Sequence, residues 1–163
     1  MESQVVADPY SFAMSSALHA LAPRAKSRAE LFSHLIKRGV ESDIANGVLD
    51  ELELQGLLND LEFANIWSES RQRQKKLSKR VIASELRTKG VSQDVIDEVI
   101  AKIGDDLEYQ TAFNLAEKKY RSCSHLPSEK IYTRISSLLN RKGFNSAITS
   151  KIIRELLGNA ASN

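Results

Sequence analysis

The sequence predicts an all-α protein built from three tandem three-helix repeats, and three observations predict it. The first is recurrence. Leu31, Leu35, Arg38-Gly39-Val40, Ile44 and Val48-Leu49 return as Ile82, Leu86, Lys89-Gly90-Val91, Val95 and Val99-Ile100, then as Ile135, Leu139, Lys142-Gly143-Phe144, Ile148 and Ile152-Ile153. The glycines are 51 and 53 residues apart (39 to 90, 90 to 143), which means one supersecondary unit copied three times, each needing neighbours to bury its apolar face. The second is composition: seven Gly and three Pro in 163 residues leave few breakers, which favours long helices over many short strands. The third is that every copy carries the same stop-and-restart chemistry.

In the first copy, Ser27 followed by Glu30 fits the N-cap and N3 places of a capping box. Leu31, Leu35 and Ile36 then form a stripe at helical spacing. Gly39, behind cationic Lys37 and Arg38, takes the left-handed position that ends a helix. Ser42 is expected to restart the chain as an N-cap, with Asp43 in the first turn and Ile44, Val48 and Leu52 on the apolar face. The second copy opens at Ser78, closes at Lys89-Gly90 and reopens at Ser92. The third uses Ser128, Lys142-Gly143 and Asn145 or Ser146.

A further helix precedes each copy. Asp60-Leu61-Glu62-Phe63 and Asp106-Leu107-Glu108-Tyr109 share the pattern Asp-Leu-Glu-aromatic, and each opens a helical run. The first run carries Phe63, Ile66 and Trp67; the second carries Tyr109, Ala112, Phe113 and Ala116. Trp67, at helical spacing from Phe63, reads as a core residue. Upstream of the first copy, Phe12, Ala13, Ala17, Leu18 and Leu21 take the same part, ending near Pro23. The expected organisation is a flexible N-terminus over 1–10, repeats over 11–57, 58–104 and 105–158, and a flexible C-terminus over 159–163. A longer loop is expected at Cys123–Pro127.

A formal net charge of +2 hides a sorted distribution. Residues 41–69 hold eight acids and no Lys or Arg, and residues 71–91 hold eight bases against Glu85. Residues 94–117 hold seven acids against Lys102, and residues 118–154 nine bases against Glu129. Macrodipole matching and ordinary solvated faces account for part of this. Whole helices of one sign also suit docking on a partner that is itself patterned in charge.

Chemistry is harder to find. His19, His34 and His125 are far apart and form no ligand-spaced pair. Cys123 is the only cysteine, so neither an intrachain disulfide nor a thiolate cluster is expected. There is no glycine-rich phosphate loop, nucleophile elbow or His-Glu-x-x-His sequence. Asn59-Asp60 and Asp105-Asp106 lie at helix starts, where capping explains them. The expectation is therefore no catalysis, no cofactor, no metal and no small-molecule substrate. No stretch approaches the roughly 18 apolar residues of a spanning helix, and the N-terminus has neither the basic stretch nor the apolar run of a signal peptide. A cytoplasmic protein with no membrane association is expected.

The tight helical pairs raise DNA reading as an alternative. Charge opposes it, because the second helix of the first pair carries Asp43, Asp50, Glu51 and Glu53 and that of the second carries Asp94, Asp97 and Glu98. Phosphates would repel both. Only the last pair, with Lys151 and Arg154 against Glu155, tolerates that pose.

Gly56-Leu57-Leu58-Asn59-Asp60 followed by Phe63-Ala64 resembles the G-L-L-x-D-x-x-F-A signature of the RecX family of regulatory proteins. Arg80-Val81-Ile82-Ala83-Ser84-Glu85-Leu86-Arg87-Thr88-Lys89-Gly90-Val91 is similar to that family's R-I-x-x-E-L-x-x-K-G segment. Ser27-Arg28-Ala29-Glu30-Leu31 and Arg141-Lys142-Gly143-Phe144 fit as well, and the resemblance runs in order over about residues 13–157. One departure is Asn59, where Asp is common; either caps a helix. The resemblance implies three tandem three-helix repeats in an elongated, curved array. It further implies a non-enzymatic modulator, mainly an inhibitor, of the RecA recombinase, docked on its filament on single-stranded DNA. The residues expected to meet that partner are Arg71, Arg73, Lys75, Lys76, Lys79, Arg80, Arg87, Lys118, Lys119, Arg141 and Lys142, with weak direct contact to DNA. The alternatives are a sequence-independent DNA-binding protein acting without the recombinase, and a plain helical scaffold.

Overall fold

A computed structural model describes residues 8–161. Among the described residues there are nine α-helices and no strand: α1 (Pro9–Leu21), α2 (Arg28–Lys37), α3 (Ser42–Leu54), α4 (Asp60–Ser70), α5 (Lys79–Thr88), α6 (Gln93–Ala101), α7 (Asp105–Cys123), α8 (Ser128–Arg141) and α9 (Ser146–Ala160). A π-helical turn, Arg71–Lys75, follows α4 directly. The helices fall in threes as the repeats predict.

The expected flexible ends need correction where they are described. Asp8 accepts a hydrogen bond from the Ser11 N–H (3.2 Å), and Pro9 takes the first helical position, where its fixed φ and missing N–H cost nothing. Helix α1 therefore includes residues 9 and 10, and α9 runs through Ala160. The remaining parts of the expected flexible tails, residues 1–7 and 162–163, lie outside the described residues.

Helix ends follow the predicted chemistry with two shifts. Ser27 forms the full capping box with Glu30, Ser78 Oγ accepts from the Val81 N–H at 3.3 Å, and Asn145 accepts from the Ile148 N–H at 2.9 Å. Ser42 and Ser128, however, are first helical residues; Glu41 and Pro127 occupy the N-cap places and neither side chain caps. In each case extended backbone just before the helix sets the start, with ψ of 148° at both Glu41 and Pro127. At Gly39, Gly90 and Gly143, φ is +82°, +75° and +91°, values that glycine adopts without strain. The N–H after each glycine returns to the carbonyl five residues back: Val40 to Leu35, Val91 to Leu86, Phe144 to Leu139. These are Schellman turns. Gly56, φ +72°, makes a fourth, with the Leu57 N–H on the Leu52 carbonyl.

The chain forms two compact units, and they do not follow the repeats. One comprises residues up to Trp67 together with Leu86–Ile96; the other comprises Ser68–Glu85 with Asp97 onward. In the first, α1, α2 and α3 pack together around Leu31, Leu35, Val48, Leu49 and Leu52. Helix α1 buries Ala13, Ala17 and Ala20 in that core and packs Tyr10, Met14 and Leu21 against it; Phe12 and Leu18, expected inside, are exposed. In the second unit, α7, α8 and α9 pack around Ile131, Ile135, Leu139, Phe144, Ile152 and Ile153. Ala112, Ala116 and Cys123 form the inner face of α7. Cys123 is the last helical residue and fully buried, so the loop begins at Ser124.

Candidate functional site

The π turn is where the basic segment leaves regular geometry. Arg71-Gln72-Arg73-Gln74-Lys75 forms a π-helical turn. It closes on Lys76 at φ +55°, the one non-glycine residue with positive φ among the described residues. The Lys76 N–H reaches the Gln72 carbonyl (3.2 Å) and the Leu77 N–H the Arg71 carbonyl (3.4 Å). A lysine in this region costs roughly 1–2 kcal/mol, and such turns concentrate at functional sites.

Ten of the eleven cations expected to bind a partner belong to the second unit; Arg87 lies in the first, its Nε donating to Gln93 (3.1 Å). Three of the ten serve the fold. Arg71 Nε donates to Glu85 at 2.8 Å. Lys79 pairs with Asp105 at 2.5 Å, and its backbone N–H donates to Glu108 Oε1 at 2.9 Å. The Lys79 ammonium holds the Asp105 carboxyl below its usual range. Lys142 donates to the Lys75 carbonyl at 2.8 Å, which ties the third glycine turn to the end of the π turn. Arg73, Lys75, Lys76, Arg80, Lys118 and Arg141 are exposed with no ion pair among the described residues, and Lys119 is half-buried. Arg73 and Lys76 line an open groove with Glu69, Gln72, Leu107 and Thr111. Lys118 follows Thr111 by two turns along the same face of α7. The tertiary fold thus brings a subset of the predicted residues onto one unit and withdraws others into ion pairs.

A second cationic groove was not marked by the sequence reading. In the first unit Arg24, Lys26, Lys37 and Lys89 line one wall with Glu30 and His34. Glu30 meets Lys89 at 2.7 Å and Arg24 at 3.3 Å. Burial pushes the Glu30 carboxyl up, but Lys89, Arg24 and the Ser27 backbone outweigh it and the net direction is down. Burial, with Arg24 alongside, pushes the Lys26 ammonium down, and burial with Arg38 and Lys26 pushes the His34 imidazole down. Lys89 Nζ also sits 4.9 Å from the centre of the Trp67 ring, itself stacked on Phe63. Trp67 is half-buried under this lysine, and Ile66, grouped with it on the predicted apolar run, is exposed. The available signal was the bracketing of the first repeat helix by bases at both ends, Arg24 and Lys26 before it and Lys37-Arg38 after it.

One joint occurs in both units. Ser27 Oγ donates to the Lys89 carbonyl at 2.5 Å while accepting from the Glu30 N–H at 3.1 Å. In the other unit the Ser78 N–H donates to the Lys142 carbonyl at 3.0 Å. The N–H that follows each serine lands on an acid from the Asp-Leu-Glu-aromatic helix start: Arg28 on Asp60 (2.8 Å), Lys79 on Glu108 (2.9 Å). An N-capping serine of one repeat therefore seats against the lysine-glycine turn of the next. Tyr109 closes the far side of the second unit, donating to Glu155 at 2.7 Å beneath Lys151; burial and Glu155 push its hydroxyl up to about 12. Among the described residues no group of three or more His, Cys, Asp or Glu is placed to hold a metal, and no helix is long and apolar enough to cross a membrane.

Comparison with known proteins places three domain matches on the chain in order. Residues 13–52 match the first three-helix domain of RecX, residues 59–100 the second and residues 106–153 the third. The regulatory protein RecX of Streptomyces coelicolor is 34% identical over 150 residues, covering 92% of this chain and 80% of its own. That of Mycobacterium avium is 36% identical over 137 residues, covering 83% and 79%. The crystal structure of RecX from Lactobacillus salivarius superposes with a TM-score of 0.82 at 25% identity, covering 93% of this chain and 98% of that one.

Proposed function

Because this chain belongs to the RecX family of regulatory proteins, we propose that it binds the filament a RecA-type recombinase forms on single-stranded DNA and restrains its strand exchange and ATP hydrolysis. In this reading it acts in the cytoplasm, in homologous recombination and DNA repair, without catalysis of its own. The observation that carries it is the match of all three three-helix domains, in family order, across residues 13–153.

The exposed cations Arg73, Lys75, Lys76 and Arg80, with Lys118, Lys119 and Arg141, meet acidic recombinase surface or the DNA within the filament. Arg71, Lys79 and Lys142 hold that surface in shape through the bonds described above, and Arg87 adds a cation on the first unit. Several weak contacts on one chain add through effective concentration. The test is co-sedimentation with recombinase filaments assembled on single strands, comparing the natural chain with an Arg73, Lys75, Lys76, Arg80→Gln variant. Binding by the natural chain and at least about tenfold weaker binding by the variant are expected. A chain that neither binds filaments nor slows strand exchange refutes the proposal. The second reading, DNA binding without the recombinase, is favoured by the exposed cations Arg73, Lys75 and Lys76 at the π turn. It predicts comparable affinity for bare DNA, falling steeply with salt as many phosphate contacts require.

A further inference from the structure

Four helices end in Schellman turns, and one of the four turns its apolar residues outward. At Gly39, Gly90 and Gly143 the residue after the glycine is buried: Val40 is 8% exposed, Val91 6% and Phe144 3%. The last helical residue in those turns is polar, namely Lys37, Thr88 and Arg141. At Gly56 the corresponding positions are Leu54, 89% exposed, and Leu57, 53% exposed. The core position here is taken by Leu58, 3% exposed, whose N–H shares the Leu52 carbonyl with that of Leu57. Folding of this turn needs the left-handed glycine, Leu52 and Leu58. It does not need Leu54 or Leu57 to be apolar.

The surroundings are negative. Leu54 follows Asp50, Glu51 and Glu53 on the last turns of α3, and the whole stretch 41–69 has eight acids and no Lys or Arg. Arg28 pairs with Asp50 (2.8 Å) and Glu53 (3.0 Å), one positive charge against two. Glu51 accepts hydrogen bonds from Tyr10 and Gln55. A nucleic-acid backbone is repelled by such a rim. Two leucines also offer too little area for a stable dimer of this chain, which needs about 1,200 Å² or more in total. They suit an anchor within a larger contact to an unlike protein.

We infer that the Leu54–Leu57 turn is a docking knob that enters an apolar socket rimmed by lysine and arginine on a protein partner. The inference rests on the proposed function, which supplies the recombinase filament as that partner, and it adds a contact of opposite polarity to the cationic surface of the π turn.

The experiment measures filament co-sedimentation of the full chain, a Leu54→Ser/Leu57→Ser variant, a milder Leu54→Gln variant, and Tyr132→Ser, which removes an apolar side chain 48% exposed elsewhere. The double variant is expected to keep its circular dichroism and melting temperature and to bind about tenfold or more weakly. Leu54→Gln is expected to weaken binding severalfold, which keeps the test decisive should the double variant misfold, and Tyr132→Ser to leave binding unchanged. If the natural chain does not bind filaments, the proposed function fails and this inference falls with it. If the natural chain binds and the leucine variants bind equally well, or Tyr132→Ser loses as much, the knob alone is refuted. A natural chain that sediments as a dimer and a leucine variant that sediments as a monomer would give the knob to a second copy and also overturn it.

Discussion

Replacing each repeat glycine by alanine gives three substitutions of one motif with different expected costs. All three residues hold positive φ, so alanine costs roughly 1–2 kcal/mol in backbone strain, offset by about 0.4–1 kcal/mol from a stiffer unfolded chain. At Gly39 the account ends there, because a Cβ meets nothing within 4 Å. At Gly90 the new Cβ lies 2.3 Å from the Ala29 Cβ, and at Gly143 it lies 2.2 Å from Val81 Cγ2 and 2.5 Å from Ser78 Oγ. Ordinary carbon contacts are about 3.5–4.0 Å, so the turn must back away from the N-terminus of the helix it seats against. That movement stretches the Ser27 to Lys89 bond of 2.5 Å in one unit and the Ser78 to Lys142 bond of 3.0 Å in the other. Overpacking of this kind adds about 1–3 kcal/mol. Gly39→Ala is therefore expected to cost about 1 kcal/mol, and Gly90→Ala and Gly143→Ala about 2–4 kcal/mol. At roughly 2–4 °C per kcal/mol for a chain of this size, thermal melts by circular dichroism should separate the first from the other two. Ala29→Gly in the Gly90→Ala background should recover part of the loss, since it removes the opposing atom. Equal losses at all three glycines, or no recovery, would refute the argument that the joint is felt.

Three further outcomes follow from the same geometry. Lys76→Gly relieves a left-handed lysine and should raise the urea midpoint by an amount equivalent to about 1 kcal/mol, while reducing filament binding because the side chain is lost. Ser27→Ala removes an N-cap and takes from the part-buried Lys89 carbonyl its Ser27 donor, and should cost about 1–3 kcal/mol in denaturant melts. The Glu30 carboxyl is held below its ordinary value in the folded state, so its stabilising contribution is present above about pH 4.3 and is lost as pH falls through the lower folded value. Melting temperatures on the acid side should accordingly fall more steeply for the natural chain than for Glu30→Gln; parallel curves would show that Lys89 and Arg24 do not hold that charge.

The sequence by itself determined everything that depends on backbone conformation and local periodicity. Gly39, Gly90 and Gly143 could be read as left-handed helix ends because no side chain competes for that conformation, and the Ser27-Glu30 box because its partners are three residues apart. The family was legible for the same reason: several local motifs recur in fixed order. What only the tertiary structure decided is which of these residues meets something distant. Gly39 and Gly90 occupy the same place in their repeats, yet only Gly90 has an earlier repeat to seat against, so only Gly90 is crowded. Arg71 and Lys79 belong to the same basic run as Arg73 and Lys76, but Glu85 is 14 residues away from Arg71 and Asp105 is 26 from Lys79. A run of charge carries no record of those partners, because ion pairing is set by where helices cross. The outward Leu54 was hidden by the same limit, since burial belongs to the packed molecule and not to the residue.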